Sequence, residues 1–183
     1  MRILLTGATG YVGSVLLPEV ERRGHAIRCL ARRPAKLGGK TGPQTEVMPG
    51  DASDPVALAR ACDGIDVAYW MVHSMESGVD FERADRLAAE RFAVAAKAAG
   101  VKRIVYLGGL GNDDDRLSAH LRSRHEVGAI LRASGMDVIE FRASIIIGAG
   151  SFSFDLVRTL VERLPVMICP AWLATPTQPI AIA

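Results

Sequence analysis

Short apolar segments alternate with amphipathic segments along the whole chain. The apolar segments have the length of strands and predict β-strands at 2–5, 26–31, 46–48, 66–72, 103–107 and 137–141, the last extended towards Ile147. Between them, apolar residues recur every three or four positions, which predicts helices at 11–23, 55–62, 81–99, 118–134 and 153–164. Strands and helices are therefore expected to alternate from one end of the chain to the other.

This alternation predicts the fold class. Right-handed βαβ units build a parallel sheet covered by helices on both faces, so we expect a doubly wound α/β fold, the Rossmann fold. The segments RIVYLGG (103–109) and VIEFRASIIIG (138–148) are continuously apolar, as strands buried on both faces are. Without repeats or an interdomain linker, we expect a single domain over residues 1–183.

The last residues, QPIAIA (178–183), resemble the beginning of a seventh strand. In related folds such a strand leads into further helices on the substrate side. We therefore expect the fold to be truncated at its C-terminus, with substrate-side elements missing after residue 183.

Composition narrows the possible partners. The chain is 49% hydrophobic and 23% charged with a net charge of +2, which is typical of globular proteins and does not favour a nucleic-acid partner. Its three cysteines lie far apart without neighbouring histidines, so neither a disulfide framework nor a metal site is expected. No apolar run has the length of a signal peptide core or of a membrane span, so we expect a cytoplasmic protein without a membrane partner.

Three glycines spaced three residues apart follow the first strand, in the segment TGATGYVG (6–13). Ligands of open α/β sheets bind beyond the carboxyl ends of the strands, where glycine permits a tight turn and a close approach of a pyrophosphate to a helix N-terminus. The alternative is a tight turn without a ligand. The predicted phosphate-binding residues are Gly7, Thr9, Gly10, Tyr11, Val12 and Gly13.

The G-x-x-G-x-x-G spacing resembles the signature of extended and atypical short-chain dehydrogenases/reductases. The resemblance continues through RCLARRP (28–34), GDASDP (50–55), GIDVAYWMVHS (64–74), VKRIVYLGG (101–109) and LRASGMDVIEFRASIIIGAG (131–150). Together these segments are similar to the NmrA-like group of atypical short-chain dehydrogenases/reductases. The resemblance covers essentially the whole chain and implies an NAD(P)-binding protein.

The basic residues after the second strand indicate which dinucleotide is bound. Enzymes that prefer NAD carry an acidic residue there for the ribose 2′-hydroxyl, whereas NADP requires cations. No Asp or Glu occurs between Glu21 and Glu46, and Arg32 and Arg33 lie just beyond the strand, so NADP is favoured over NAD. The alternative is a solvated basic loop.

The ends of the next strands are expected to contact the rest of the cofactor. The resemblance implies that Asp51 accepts a hydrogen bond from the adenine amino group with Ala52 beside the ring, although Asp51 could instead cap the helix that begins at Pro55. Met71, Val72, His73 and Gly108 are expected to face the nicotinamide half. His73 would bond the ribose or a substrate, or else be an ordinary polar residue at a strand end.

The expected catalytic groups are replaced. Active short-chain dehydrogenases use a Ser or Thr after the fifth strand and a Tyr-x-x-x-Lys pair on the next helix, but this chain has GGLG (108–111), His120 and Arg124 there. His120 is a candidate proton donor because imidazole titrates near neutrality. Arg124 is a candidate cofactor contact, since it lies four residues further along the same helix face. Alternatively, both are polar residues on a helix flank.

Two functions of different class follow. One is an NADP-dependent oxidoreductase that transfers hydride to a small carbonyl, quinone-like or other conjugated substrate. The other is a redox-state sensor or regulatory protein that binds NADP without turnover and acts on a protein partner. The missing Ser-Tyr-Lys set favours the sensor, whereas the apolar segment PVMICPAWLATPTQP (165–179) favours a substrate pocket unless it is core around a seventh strand.

Overall fold

The structure is a computed structural model and describes residues 1–74, 80–111, 117–164, 166 and 177–182. The chain forms two compact units, residues 1–142 and residues 143–183. The assignment of residues 1–183 to one domain stays a prediction.

A parallel sheet with flanking helices forms the first unit. Its strands are β1 (Arg2–Thr6), β2 (Ala26–Ala31), β3 (Thr45–Pro49), β4 (Val67–Trp70), β5 (Arg103–Gly109) and β6 (Asp137–Ala143). Its helices are α1 (Tyr11–Arg22), α2 (Pro55–Cys62), α3 (Phe81–Ala98) and α4 (Ala119–Ala133), and a short 3₁₀ turn covers Pro34–Leu37. The predicted alternation of strand and helix is confirmed.

The strand order is β3-β2-β1-β4-β5-β6. β1 lies at the centre, pairing in parallel with β2 on one side and with β4 on the other. The order therefore reverses between β1 and β4, and in such sheets the crevice beyond the carboxyl ends at this point is where ligands bind. The predicted doubly wound α/β fold is confirmed.

Side chains of β1 enter two separate cores. Leu4 packs into a core with residues of α2, α3 and α4, whereas Ile3 and Leu5 pack into a second core with residues of α1. Because successive side chains of a strand point to opposite faces, β1 is apolar on both of its faces. The larger core contains a stack of Trp70 on Phe92, with ring centroids 4.3 Å apart.

The boundaries of several elements differ from the predictions. β4 is shorter than the predicted 66–72, because the backbone leaves the sheet after Trp70. β6 ends at Ala143 and does not continue to Ile147; a separate short strand, β7 (Ile146–Ile147), follows. Pro18 lies within α1 without ending the helix.

The described residues of the second unit form two short strands and one helix. β7 pairs in parallel with β8 (Ile180–Ala181), so the strand expected near the end of the chain is present. The helix is α5 (Phe152–Arg163). The segment 165–179, predicted to form a substrate pocket or core, lies mostly outside the described residues.

The described residues contain neither a membrane-spanning helix nor a cluster of metal-ligand side chains. None of the helices there combines the length and the apolar character needed to cross a bilayer. No three His, Cys, Asp or Glu side chains there lie together as metal ligands would. Cys29 and Cys62 are free and buried, and burial raises the pKa of each thiol to about 12, which makes both structural rather than reactive.

Candidate functional site

A cleft of about 290 Å³ lies beyond the carboxyl ends of the central strands. It brings together residues that are far apart in sequence but follow β1, β2, β3 and β4. Its lining residues are Gly7, Thr9, Gly10, Leu30, Ala31, Arg32, Arg33, Lys36, Gly50, Asp51, Ala52, Ser53, Met71, Val72, His73, Ser74 and Ala88. Ten of the predicted site residues are in this set.

Two of the three glycines shape the turn between β1 and α1. Gly7 has a φ of +77°, and a Cβ there would lie 2.7 Å from the carbonyl oxygen of Met71. A Cβ at Gly13 would overlap the carbonyl oxygen of Gly7. Both positions therefore require glycine for the fold itself, the first for its conformation and both for space.

Gly10 differs from the other two glycines. Its φ of −82° is accessible to any residue, and a Cβ there would meet only the Gly7 carbonyl oxygen, at 3.3 Å. Gly10 is the N-cap of α1 and lines the cleft. A Cβ at Gly10 would be tight against that oxygen without overlapping it, so the fold demands glycine less strictly here than at Gly7 and Gly13, and the space beside Gly10 is part of the cleft.

The first turn of α1 supplies hydrogen-bond donors to this space. No side chain caps the helix, and its first turn contains no acidic residue. The backbone N–H groups of Tyr11, Val12 and Gly13 have no partner within the helix, and the helix dipole adds partial positive charge. This arrangement suits an anion.

Thr6 joins the ends of β1 and β4 below the turn. Its buried hydroxyl donates to the carbonyl oxygen of Tyr69 at 2.8 Å and accepts from the N–H of Met71 at 3.2 Å. The threonine that ends the first apolar run therefore fixes the position of Met71, which borders the cleft.

Thr6→Val is expected to destabilise the protein by about 1 to 3 kcal/mol, because it leaves two buried backbone groups without their partner. Urea unfolding would measure the loss. Thr6→Ser keeps the hydroxyl and should lose clearly less; equal losses in the two variants would show that the methyl group, not the hydrogen bonds, matters.

Three cations follow β2 on one side of the cleft. Arg32, Arg33 and Lys36 are exposed and line it. Arg28, inside β2, is used differently: its guanidinium pairs with Glu46 at 2.8 Å and donates to carbonyl oxygens at the end of α2. These basic residues therefore have two roles. Arg28 stabilises the structure, whereas Arg32, Arg33 and Lys36 form a cationic edge of the cleft.

Asp51 lies in the cleft and does not cap α2. The N-cap is Asp54, whose side chain accepts from the N–H of Val56 at 2.9 Å, so the alternative assignment of Asp51 as the cap was wrong. Asp51 instead accepts from the N–H of Ser53 at 2.7 Å. Partial burial raises the pKa of Asp51, but the hydrogen bonds from Ser53 and the charge of Arg32 outweigh it, so the pKa is lowered and the carboxylate is ionised.

The chain leaving β4 forms the other side of the cleft. Met71, Val72, His73 and Ser74 all line it. The ring of His73 lies edge-on to that of His120 on α4, with 6.4 Å between centroids. Desolvation lowers the pKa of His120, the charge of Arg124 lowers it further, and Asp85 raises it in part, with a net lowering.

The remaining predicted residues lie elsewhere. Six predicted residues are outside the set that lines the cleft: Tyr11, Val12 and Gly13 in the first turn of α1, and Gly108, His120 and Arg124. Arg124 is only 8% exposed; its guanidinium donates to the Leu107 carbonyl oxygen and lies 5.3 Å from the centre of the Tyr106 ring. Gly108 gives room to Glu140, whose Oε1 would lie 2.7 Å from a Cβ at that position. Both residues therefore have structural contacts at the end of β5.

The cleft fits a dinucleotide phosphate group. It combines a glycine whose missing side chain leaves open space, a helix N-terminus and three cations. Outside the residues that line the cleft, the hydroxyl of Tyr11 in the first turn of α1 is buried without a hydrogen-bond partner among the described residues. Phosphate and ribose oxygens are the kind of group that such donors bind.

Residues 7–145 match the family model described as NAD(P)H-binding. The chain belongs to this NAD(P)H-binding family. The resemblance to atypical short-chain dehydrogenases/reductases and the prediction of a dinucleotide cofactor are thereby confirmed. Which of the two nucleotides is bound is not decided by the match.

Curated relatives extend beyond this chain. A 3β-hydroxysteroid dehydrogenase/Δ5→4-isomerase of Mycobacterium tuberculosis is 35% identical over 115 residues, which are 57% of this chain and 30% of the relative. The ceramide reductase of Caulobacter vibrioides is 28% identical over 167 residues, or 90% of this chain and 52% of the relative. The chain therefore spans about half the length of ceramide reductase and less of the steroid enzyme.

Solved structures share the fold. The NADPH-dependent quinone oxidoreductase of Escherichia coli, in complex with NADPH, superposes with a TM-score of 0.70 at 26% identity, covering 87% of this chain and 53% of that one. The enzyme WbmH of Bordetella bronchiseptica, in complex with NAD⁺, gives a TM-score of 0.72 at 20% identity, covering 88% and 62%. Neighbours thus hold either nucleotide.

Sequence reasoning missed several cleft residues. The predicted site includes neither Lys36, which lies three residues after Arg33, nor Ser74, which directly follows His73. Gly50, with Leu30 and Ala57 side-chain atoms within 3 Å of where its Cβ would be, had no recognisable signal. Its role depends on how closely β2 and α2 approach, which the local sequence does not encode.

Proposed function

We propose that this chain is an NADP(H)-preferring, oxidoreductase-like protein of the NmrA-like group of atypical short-chain dehydrogenases/reductases, with a degenerate Ser-Tyr-Lys set. The observation that carries the preference is the placement of Arg32, Arg33 and Lys36 on one edge of the cleft, directly after β2. In this fold the ribose next to adenine is bound at that edge, where NADP carries its extra phosphate.

Electrostatics support NADPH over NADH. No carboxylate follows β2, and Asp51, across the cleft, is held by Ser53 beside the positive charge of Arg32. A charge-assisted hydrogen bond from arginine to phosphate contributes about 1.5 to 3 kcal/mol, which corresponds to roughly tenfold or more in affinity. NADH lacks the phosphate and would gain nothing from the three cations.

In the oxidoreductase role, the bound nicotinamide supplies or accepts hydride. The chain's own residues would do the rest. The N–H groups that begin α1 hold the pyrophosphate, Met71 and Val72 border the nicotinamide half, and a ring nitrogen of His120 delivers a proton to the substrate oxygen. The quinone oxidoreductase and ceramide reductase, whose names state a reductive activity, support this class of chemistry.

A second candidate function is binding without turnover, as in a redox sensor that acts on a protein partner. The specific observation in its favour concerns Arg124. Its buried guanidinium is engaged by the Leu107 carbonyl and the Tyr106 ring, so it is poorly placed to replace the ribose-binding lysine of active enzymes. Gly108 and Gly109 at the end of β5 provide no hydroxyl.

Titration of the purified chain with NADPH and with NADH tests the proposal. NADPH is expected to bind at least tenfold more tightly, and the double variant Arg32→Ala/Arg33→Ala should lose most of that difference while binding NADH as before. The matched control is Arg22→Ala/Arg23→Ala, which removes the same charge at the end of α1 next to Glu19 and should leave the preference intact.

Equal affinities for the two nucleotides in the unaltered chain would overturn the NADP preference.

A panel of carbonyl and quinone acceptors, with NADPH oxidation followed at steady state, separates the two functions. Turnover with any acceptor identifies an oxidoreductase, whereas tight NADPH binding without turnover favours the sensor.

A further inference from the structure

A buried carboxylate on α3 connects the two elements that carry His73 and His120. Asp85 is 5% exposed. Its Oδ1 accepts from the N–H of Ser74 at 2.6 Å, and its Oδ2 accepts from the hydroxyl of Ser123 at 3.0 Å. Burying a carboxylate costs free energy unless hydrogen-bond donors replace the lost water. The two donors therefore make the buried position of Asp85 possible.

Both partners of Asp85 adjoin a histidine. Ser74 directly follows His73 on the chain leaving β4, and Ser123 lies one helical turn after His120 on α4. The two imidazole rings lie edge-on to each other, with an interplanar angle of 85°. Asp85 therefore links the backbone next to His73 to a side chain of the helix that carries His120.

We infer that Asp85 is a positioning residue, which keeps His73 at the cleft and His120 next to it through its hydrogen bonds to Ser74 and Ser123. The functional importance of this positioning rests on the proposed function, because a histidine pair beside the nicotinamide half would serve proton transfer to a substrate oxygen. The tether itself is a property of the chain without nucleotide.

The charges around the pair give Asp85 a second effect. Arg124 lies on the same helix as His120 and disfavours its protonated ring, whereas Asp85 from α3 favours it. The carboxylate thus both fixes the pair and partly offsets the surrounding positive charge.

Three variants separate position from charge. Asp85→Ala removes the tether and the charge. Asp85→Asn keeps an oxygen that accepts from Ser74 and an amide that can donate to Ser123, but removes the charge. Ser123→Ala breaks only the link to α4 and is the milder change where Asp85→Ala fails to fold. Glu90→Gln, an exposed carboxylate on the same helix, is the matched control.

The experiment is nuclear magnetic resonance of the full chain without nucleotide. In the unaltered chain and in Glu90→Gln we expect a cross-relaxation signal between the ring protons of His73 and His120. Asp85→Ala should lose this signal and Ser123→Ala should weaken it, whereas Asp85→Asn should retain it. A pH titration should place the pKa of His120 lower in Asp85→Asn than in the unaltered chain, because the favourable charge is gone.

An unchanged ring-to-ring signal in a folded Asp85→Ala or in Ser123→Ala would overturn the inference, as would a His120 pKa that does not fall in Asp85→Asn. These measurements use no cofactor. Failure of NADPH to bind would therefore defeat the proposed function and leave the positioning role standing, while an unmoved histidine pair in a chain that prefers NADPH would defeat this inference alone.

Discussion

Gly10→Val is expected to abolish NADPH binding while leaving the fold intact. The backbone at Gly10 has a φ that valine adopts readily, and among the described residues a Cβ there meets one atom, the Gly7 carbonyl oxygen at 3.3 Å, a tight contact without overlap. The isopropyl group would instead fill the space over the α1 N-terminus that a pyrophosphate needs. We expect affinity to fall at least 100-fold, about 2.7 kcal/mol, in a fluorescence titration with NADPH.

Two control variants show whether binding is lost locally or through the fold. Gly13→Ala introduces a Cβ that overlaps the Gly7 carbonyl oxygen, so it should lower the thermal midpoint strongly and lose binding through the fold. Ser14→Val places the same side chain on the exposed side of α1 and should change neither property much. Normal NADPH affinity in Gly10→Val would remove the turn between β1 and α1 from the binding site.

The contrast among the three glycines shows what spacing alone predicts. The motif locates the turn, because spaced glycines between an apolar strand and a helix are typical of a βα junction. It treats the three positions alike. Only the surroundings distinguish them: Met71 crowds Gly7, the turn itself crowds Gly13, and nothing but one carbonyl approaches Gly10.

The fold was predictable because its causes are local and repeated. Each strand of the sheet centre is apolar at successive positions since both faces are covered, as Ile3, Leu4 and Leu5 illustrate. Helix ends were marked by residues with clear chemistry, such as Ser118 at the start of α4, whose hydroxyl accepts from Leu121. Such signals can be recognised in the sequence without knowledge of tertiary contacts.

The roles of polar residues depend on distant contacts and were harder to predict. Asp51 and Asp54 are three residues apart and chemically identical, yet only Asp54 caps α2. Arg124 matched a family position, but the Tyr106 ring and the Leu107 carbonyl engage its guanidinium. Asp85 looked like one more charge on an amphipathic helix, although it is buried between Ser74 and Ser123.

These differences change the expectation for catalysis. With Arg124 engaged by the Leu107 carbonyl and the Tyr106 ring, the candidate proton donors near the end of β5 are a histidine and water. His120 is the candidate, and its lowered pKa determines how it would act: at neutral pH the ring is mainly unprotonated, so the acid form is scarce.

Turnover is therefore expected to increase as the pH falls through the pKa of His120, which lies below its ordinary value of 6.5. Only the protonated ring can donate, so kcat with an accepted carbonyl or quinone should level off at acidic pH and decline towards neutrality. His120→Gln should lower kcat by about 10² to 10⁴ at the acidic plateau and remove this pH dependence, while the NADPH dissociation constant stays within about twofold.

His25→Gln is the matched control, because His25 precedes the amino end of β2, whereas the cleft lies beyond the carboxyl ends of the strands. It should preserve both the rate and the pH profile. If His120→Gln keeps the full rate, water or another group donates the proton and His120 has no catalytic role. If the unaltered chain binds NADPH tightly but oxidises it with no acceptor at any pH, the sensor function is favoured, since the engaged Arg124 and the hydroxyl-free end of β5 then account for the missing chemistry.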